Sequence, residues 1–262
     1  MIDTGGIGGA ETVYLNLVCG LDHKRWRHVA VVPTRGWLFD RLTDAGINPI
    51  VIPERNSVDV VFFARLFSLI RRLKVDIIHS HLFGSAVRAA LLSRMSRVPA
   101  IATLHGTIDL RPGERFRRLK VSAINHGLKR IVFVSELLRR SFLNVVPLRQ
   151  DLATVIENGI DPKPFSRRDG NGFRGELGIL PGEFVVGTVG NPGPAKGFEL
   201  FLEAASILKA QSPGYRFVIV GELDHGRGDE LMRDRADRGL TDDVVLTGFR
   251  SDVSRALAAF DV

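Results

Sequence analysis

Short apolar, β-branched runs recur along the first part of the chain: "HVAVVP", "NPIVIP", "VDIIHS", "VPAIATLHG", "RIVFVS" and "LATVIEN". Each is nearly continuous rather than alternating, which is the pattern of strands buried on both faces. Between them the spacing turns helical. In "AETVYLNLVCGL", Ala10, Val13, Tyr14, Leu17, Val18 and Leu21 fall on one helical face. Strands that alternate with helices predict a parallel sheet covered on both sides, so the fold class is α/β.

The alternation lapses over residues 157–183, "ENGIDPKPFSRRDGNGFRGELGILPGE", where Gly, Pro and charge dominate as they do between domains. It then resumes with a strand in "EFVVGTVG" and a helix over 198–209 that turns Phe198, Phe201, Leu202 and Ala205 inward. A strand in "YRFVIVGE", a polar helix over 227–239, a strand in "DVVLTG" and a short helix in "DVSRALAAF" follow. The expected division is a first domain over residues 1–165 and a second over 166–262. Asp261 and Val262 read as the start of another strand, and only "MID" precedes the first glycine-rich turn. The expectation is that the chain is cut at both ends.

Composition narrows the class. Apolar residues make up 45% and charged residues 25% of 262 positions, an ordinary globular balance rather than a disordered one. The single cysteine, Cys19, cannot form an internal disulfide, and no cysteine spacing suits zinc, so a cytoplasmic setting is expected. The longest apolar stretch is interrupted by Arg65, which argues against a membrane span. The net charge of +7 is concentrated: residues 111–150 carry ten Arg and Lys against Glu114 and Glu136. A basic patch of this kind suits a solvated helix face or anionic lipid. With no aromatic interleaving and no recognition motif, nucleic acid is not expected.

Two glycine loops and three histidines are the candidate chemistry. In "GGIGGAE", counting G-x-G-x-x-G from Gly6 puts Glu11 where the third glycine belongs, and a carboxylate there would repel a pyrophosphate. No acid closes the second strand, so a nicotinamide dehydrogenase is disfavoured. In "VGNPGPAKG", Gly190, Gly193 and Gly197 leave space for a phosphate beside backbone amides at a helix start, with Lys196 as the point charge. The competing reading has Lys196 extended into solvent and offset by Glu199. His79 and His81 are read as structural residues on opposite faces of their strand and a poor metal site. His105, followed by Gly106 at a strand's carboxyl end, is the better active-site candidate.

Taken in order, "GGIGGAETVYLNL", "DIIHSHLFGS", "TLHGT", "VIENGIDPKPF" and "VGNPGPAKGFELFLEAASIL" resemble the family 4 glycosyltransferases, retaining enzymes of the two-domain GT-B fold. The resemblance implies two Rossmann-like parallel-sheet domains, with most of the first strand of the N-terminal domain and the second half of the C-terminal domain missing. It implies transfer of a sugar, with retention, from a UDP- or GDP-sugar to a glycan, lipid-linked or envelope acceptor, without a cofactor or a required metal. Gly8 and Gly9 would approach the ligand and His105 would sit near the reacting sugar. Gly190, Asn191, Lys196 and Gly197 would form the donor loop, with Lys196 on the diphosphate. Asn191 departs from the pattern, since many members carry an arginine there, and the family's Glu-x7-Glu segment lies beyond residue 262. The resemblance places acceptor binding in the N-terminal domain, where the basic segment 111–150 could dock at the inner face of the membrane. A non-catalytic remnant or binding module and a sugar-nucleotide epimerase are the alternatives.

Overall fold

The computed structural model describes residues 1–54, 59–106, 116–165, 170–193, 196–212, 214–223 and 227–262. These divide into two compact units, Met1–Gly159 and Ile160–Val262.

In the first unit the chain runs α1 (Gly9–Gly20), β1 (Val31–Val32), α2 (Trp37–Asp44), β2 (Ile50–Val51), α3 (Val60–Arg72), β3 (Ile78–His81), α4 (Phe83–Ser96), β4 (Ala100–Leu104), α5 (Arg117–Gly127), β5 (Leu128–Phe133), α6 (Glu136–Val145) and β6 (Ala153–Val155). All six strands coincide with the apolar runs, β3 extending one residue past its run and β5 starting two residues before its own, and each pairs in parallel with its neighbour, as β1-β2 and as β3-β4-β5-β6. The first three residues connect the two sheets. Ile2 N–H donates to Val31 O at 3.3 Å, while His81 N–H donates to Met1 O at 2.9 Å and the Met1 amino group to His79 O at 2.7 Å. Met1–Asp3 therefore stands between β1 and β3 as a central parallel strand. Strand order runs outward in both directions from it, so the carboxyl ends of Met1–Asp3 and β3 flank the crevice where open α/β sheets bind ligands.

Two devices fix this central position. Asp3 accepts a hydrogen bond from Arg88 Nη1 at 3.0 Å, and the same guanidinium binds Glu54 through Nε at 3.0 Å and through Nη2. Gly84 makes room for the pair, since a β-carbon there would lie 2.2 Å from Asp3 Oδ2. Small residues also bring α4 and α5 together: a β-carbon on Gly127 would stand 2.4 Å from Ala90 O. The core around them includes Phe133, Phe142, Leu92 and Ile131, each almost fully buried.

Helix α1 is rotated relative to its predicted face. Glu11, Tyr14 and Val18 are buried, whereas Leu17 is 37% exposed. The Tyr14 hydroxyl accepts from Val31 N–H at 3.1 Å, which draws that edge of the helix onto β1.

The second unit contains α7 (Asn171–Glu176), β7 (Phe184–Val189), α8 (Phe198–Gln211), β8 (Tyr215–Val220), α9 (Arg227–Asp237), β9 (Val244–Leu246) and α10 (Val253–Ala259). Its strands form a parallel sheet in the order β7-β8-β9. Phe198, Leu202 and Ala205 turn inward, with Phe201 packed beside them, as the spacing of α8 predicts. Helix α7 lies inside the stretch read as a linker, and its Phe173 is fully buried against Val185, Val218 and Ala256. At the chain end, Asp261 N–H donates to Val185 O and Gly187 N–H donates to Val262 O, both at 2.8 Å, so these residues run beside β7 in the manner of a strand.

Candidate functional site

In the first unit the carboxyl ends of the central strands carry a histidine cluster. Strands β3 and β4 pair in a register that sets His79 beside Ile101 and His81 beside Thr103. Alternate residues of a strand share a face, so His79 and His81 project the same way and not to opposite faces as read from the sequence. Their ring centroids are 4.6 Å apart. His79 Nε2 lies 2.9 Å from Thr103 Oγ1, and His81 Nδ1 lies 3.0 Å from His105 Nε2. The His81 and His105 rings are stacked at 5.1 Å, and Tyr14 meets His81 edge-to-face at the same separation.

Burial keeps these rings neutral. It is the largest cause that lowers His79 to about 4 and His81 to about 2, ahead of the positive charge of neighbouring groups. Burial lowers His105 as well, opposed by the carboxylate of Glu11. Immediately after His81, Leu82 adopts φ +74°, a conformation that branched side chains seldom take, as the chain turns into α4. Strain of this kind is held where the surroundings fix the backbone, and it sits here beside the histidines.

The first glycine loop faces this cluster from α1. Gly8 is the N-cap, and Glu11, three residues on, folds its carboxylate back over it. A β-carbon on Gly8 would lie 2.4 Å from Glu11 Oε2, so a larger residue there would push the Glu11 carboxylate aside. Gly9 has open space where a β-carbon would stand. A carboxylate at this position complements the amino end of the helix. Sequence reasoning named Glu11 as a hindrance to pyrophosphate but missed its proximity to His105, which depends on how the strands are ordered.

In the second unit the other predicted residues gather at the carboxyl end of β7. Gly190 N–H donates to Val220 O at 2.8 Å, and a β-carbon on Gly221 would lie 1.8 Å from Gly190 O, so two glycines bring the ends of β7 and β8 into close approach. The Asn191 side chain accepts from Glu222 N–H at 3.0 Å, which ties the loop after β7 to the residues following β8. Lys196 is exposed at the head of α8. A β-carbon on Gly190 would stand 3.3 Å from its Cδ and Cε and 3.6 Å from Nζ, so its arm lies back along the turn. Gly197 caps α8 at φ +63°, and among the described residues no side-chain cap bonds its first turn. Among the described residues, Lys196 has no carboxylate partner. A helix amino end beside a lysine is an arrangement that an anion would favour electrostatically.

A cleft of about 220 Å³ beside this loop is lined by Pro192, Phe198, Glu199, Arg227 and Glu230 among others. Among the described residues, no group of three or more His, Cys, Asp or Glu is placed to hold a metal ion, and no helix is long and apolar enough to cross a membrane. Part of the basic segment, Arg111 to Arg115 with Glu114, lies outside the described residues. Of the rest, Arg139 and Arg140 pair with Glu136, and Arg149 pairs with Asp151.

Comparison with known proteins places both units. The family model described as Glycosyltransferase Family 4 matches residues 7–163, and that described as Glycosyl transferases group 1 matches residues 183–262. The 2-deoxystreptamine N-acetyl-D-glucosaminyltransferase of Streptomyces fradiae is 31% identical over 210 residues, which is 73% of this chain and 49% of that protein. The UDP-Gal:alpha-D-GlcNAc-diphosphoundecaprenol alpha-1,3-galactosyltransferase of Escherichia coli is 28% identical over 227 residues, covering 78% of this chain and 55% of its own length. The chain thus spans about half the length of the curated relatives it matches. Among solved structures, Anabaena HepE in complex with UDP-glucose superimposes with a TM-score of 0.85 at 24% identity, over 99% of this chain and 71% of that one. The fold is that of the GT-B enzymes, with parallel sheets in each unit, and the chain belongs to glycosyltransferase family 4.

Proposed function

We propose that the protein carrying these residues transfers a sugar, with retention, from a nucleoside diphosphate sugar to a hydroxyl acceptor. The observation that carries the reading is Lys196, folded over Gly190 beside the uncapped amides of α8 and unpaired among the described residues. As the bond from the sugar to the diphosphate breaks, negative charge grows on the departing phosphate. The Lys196 ammonium and the oriented amides stabilise that charge more in the transition state than in the ground state. The acceptor oxygen bonds to the anomeric carbon on the face the phosphate leaves, and its proton passes to a phosphate oxygen. In the first unit, His105 contacts the sugar, and the open backbone at Gly9 lets ligand approach the loop. The scheme draws on no metal, so chelation with EDTA leaves the rate unchanged.

The donor is a UDP- or GDP-sugar. UDP is favoured by the UDP-Gal named for the Escherichia coli relative and by the UDP-glucose bound in the Anabaena structure. A lipid-linked acceptor is favoured by the diphosphoundecaprenol in that relative's name. Peripheral contact with an anionic membrane is supported by α5, where Arg118 lies among Phe116 and Leu119, which are 67% and 68% exposed. The direct test is product analysis with UDP- and GDP-sugars, with and without acceptor. Transfer gives a glycoside of unchanged anomeric configuration only when acceptor is present. An isomerised sugar nucleotide formed without acceptor would instead show an epimerase.

A further inference from the structure

His81 is 1% exposed and takes no part in the scheme above, yet it holds the only hydrogen bond that the described residues show to the His105 ring. One proton lies between His81 Nδ1 and His105 Nε2, 3.0 Å apart, and there are two neutral ways to place it. If His105 donated it, His81 would carry its own proton on Nε2. That nitrogen is buried and has no hydrogen-bond partner among the described residues, so the arrangement would bury an unsatisfied N–H. If His81 donates from Nδ1, its Nε2 is a lone pair, and an unused acceptor is the more readily tolerated defect. His105 then accepts at Nε2 and must carry its proton on Nδ1.

The surroundings agree with the second arrangement. His81 is packed against the rings of His79, His105 and Tyr14, and among the described residues no carboxylate acts on it to draw a second proton. Glu11 is the acid that acts on His105. With Nε2 engaged by His81, Nδ1 is the nitrogen left to answer that carboxylate, and a carboxylate favours an N–H over a lone pair.

We propose that His81 is a positioning residue that locks His105 as its Nδ1–H tautomer, so that His105 meets the sugar as a hydrogen-bond donor and not as a base. The second half of this statement rests on the sugar-transfer reading, and the tautomer does not. A donor at this point suits a reaction in which the acceptor's proton leaves with the phosphate, because no base is then required of His105.

Nitrogen-15 NMR of histidine-labelled protein tests the tautomer without any activity. The expected spectrum of the whole chain shows His105 protonated at Nδ1 and bare at Nε2, with His81 also protonated at Nδ1. His81→Asn, whose side-chain amide can still donate, keeps the His105 pattern. In His81→Leu, His105 shifts to a mixture weighted toward Nε2–H, and kcat/KM for sugar transfer falls roughly tenfold or more relative to His81→Asn. A wild-type His105 bearing its proton on Nε2 would overturn the proposal, and that spectrum decides the matter even if His81→Leu fails to fold. An unchanged His105 tautomer in a folded His81→Leu would overturn it equally. The expected tautomer in a protein that transfers no sugar would refute the catalytic reading alone.

Discussion

Lys196 lies along Gly190, with its Cδ and Cε each 3.3 Å from where a β-carbon on that glycine would stand. The exposed lysine thus lies at the carboxyl end of β7, where its charge opposes the helix dipole of α8 unless an anion binds. Lys196→Met should therefore leave stability unchanged or raise it by a few tenths of a kcal/mol. The same change should lower kcat/KM by roughly a hundredfold, as loss of a preorganised group on a departing charge does. Urea denaturation and steady-state kinetics on the same preparation separate the two effects. A parallel fall in stability and activity would make Lys196 a structural residue.

Gly127→Ala tests how the first unit holds its helices together. The new methyl would meet Ala90 O at 2.4 Å, and a backbone carbonyl cannot rotate away as a side chain does. The expected cost is about 2 kcal/mol or more, seen as a lowered urea midpoint, with α4 and α5 forced apart. Gly9→Ala, where the β-carbon meets nothing within 4 Å, is the matched control and should change stability by less than about 1 kcal/mol.

The histidine cluster predicts a pH dependence of stability. His79 and His81 are held at about 4 and about 2 in the fold, mainly by burial, against about 6.5 in the unfolded chain. Below that unfolded value the unfolded chain binds more protons than the native one, so stability falls as the solution is acidified. Between about pH 6.5 and about pH 4 each of the two residues contributes a slope approaching 1.4 kcal/mol per pH unit, and below that only His81 continues. His81→Asn should flatten the curve by one proton. Chemical denaturation at a series of pH values reads the slope directly, and identical slopes for variant and parent would remove His81 as a source.

The exposed Phe116 and Leu119 beside Arg118 predict binding to vesicles containing an anionic phospholipid. Co-sedimentation should weaken as salt rises toward about 0.5 M, where screening is nearly complete. Leu119→Ser should weaken it further by removing inserted apolar area. Binding that ignores salt, or that occurs equally on neutral lipid, would contradict the assignment.

Much of the architecture is legible in the chain because a strand buried on both faces must be apolar nearly throughout. "RIVFVS" and "YRFVIVGE" have few other ways to fold: β8 lies within the second, and β5 overlaps the first, starting two residues ahead of it. Helix α7 was hidden because "NGFRGE" reads as a turn, and its place is set by Phe173 fitting between Val185 and Ala256, which no local pattern records. The burial of Glu11 in place of Leu17 follows from Tyr14 bonding to β1 and is tertiary in the same sense. The second glycine loop could be singled out as a candidate from the sequence because Gly190, Lys196 and Gly197 sit close together in the chain. The meeting of His81 with His105 was not, because it depends on β3 and β4 being neighbours in one register.

The most direct test of the central claim is release of nucleoside diphosphate from UDP- and GDP-sugars by the protein that carries this chain, with Lys196→Met measured beside it. The account predicts acceptor-dependent release of one of the two diphosphates, reduced roughly a hundredfold in the variant. No release from either class of donor, or release that the variant leaves intact, would contradict it.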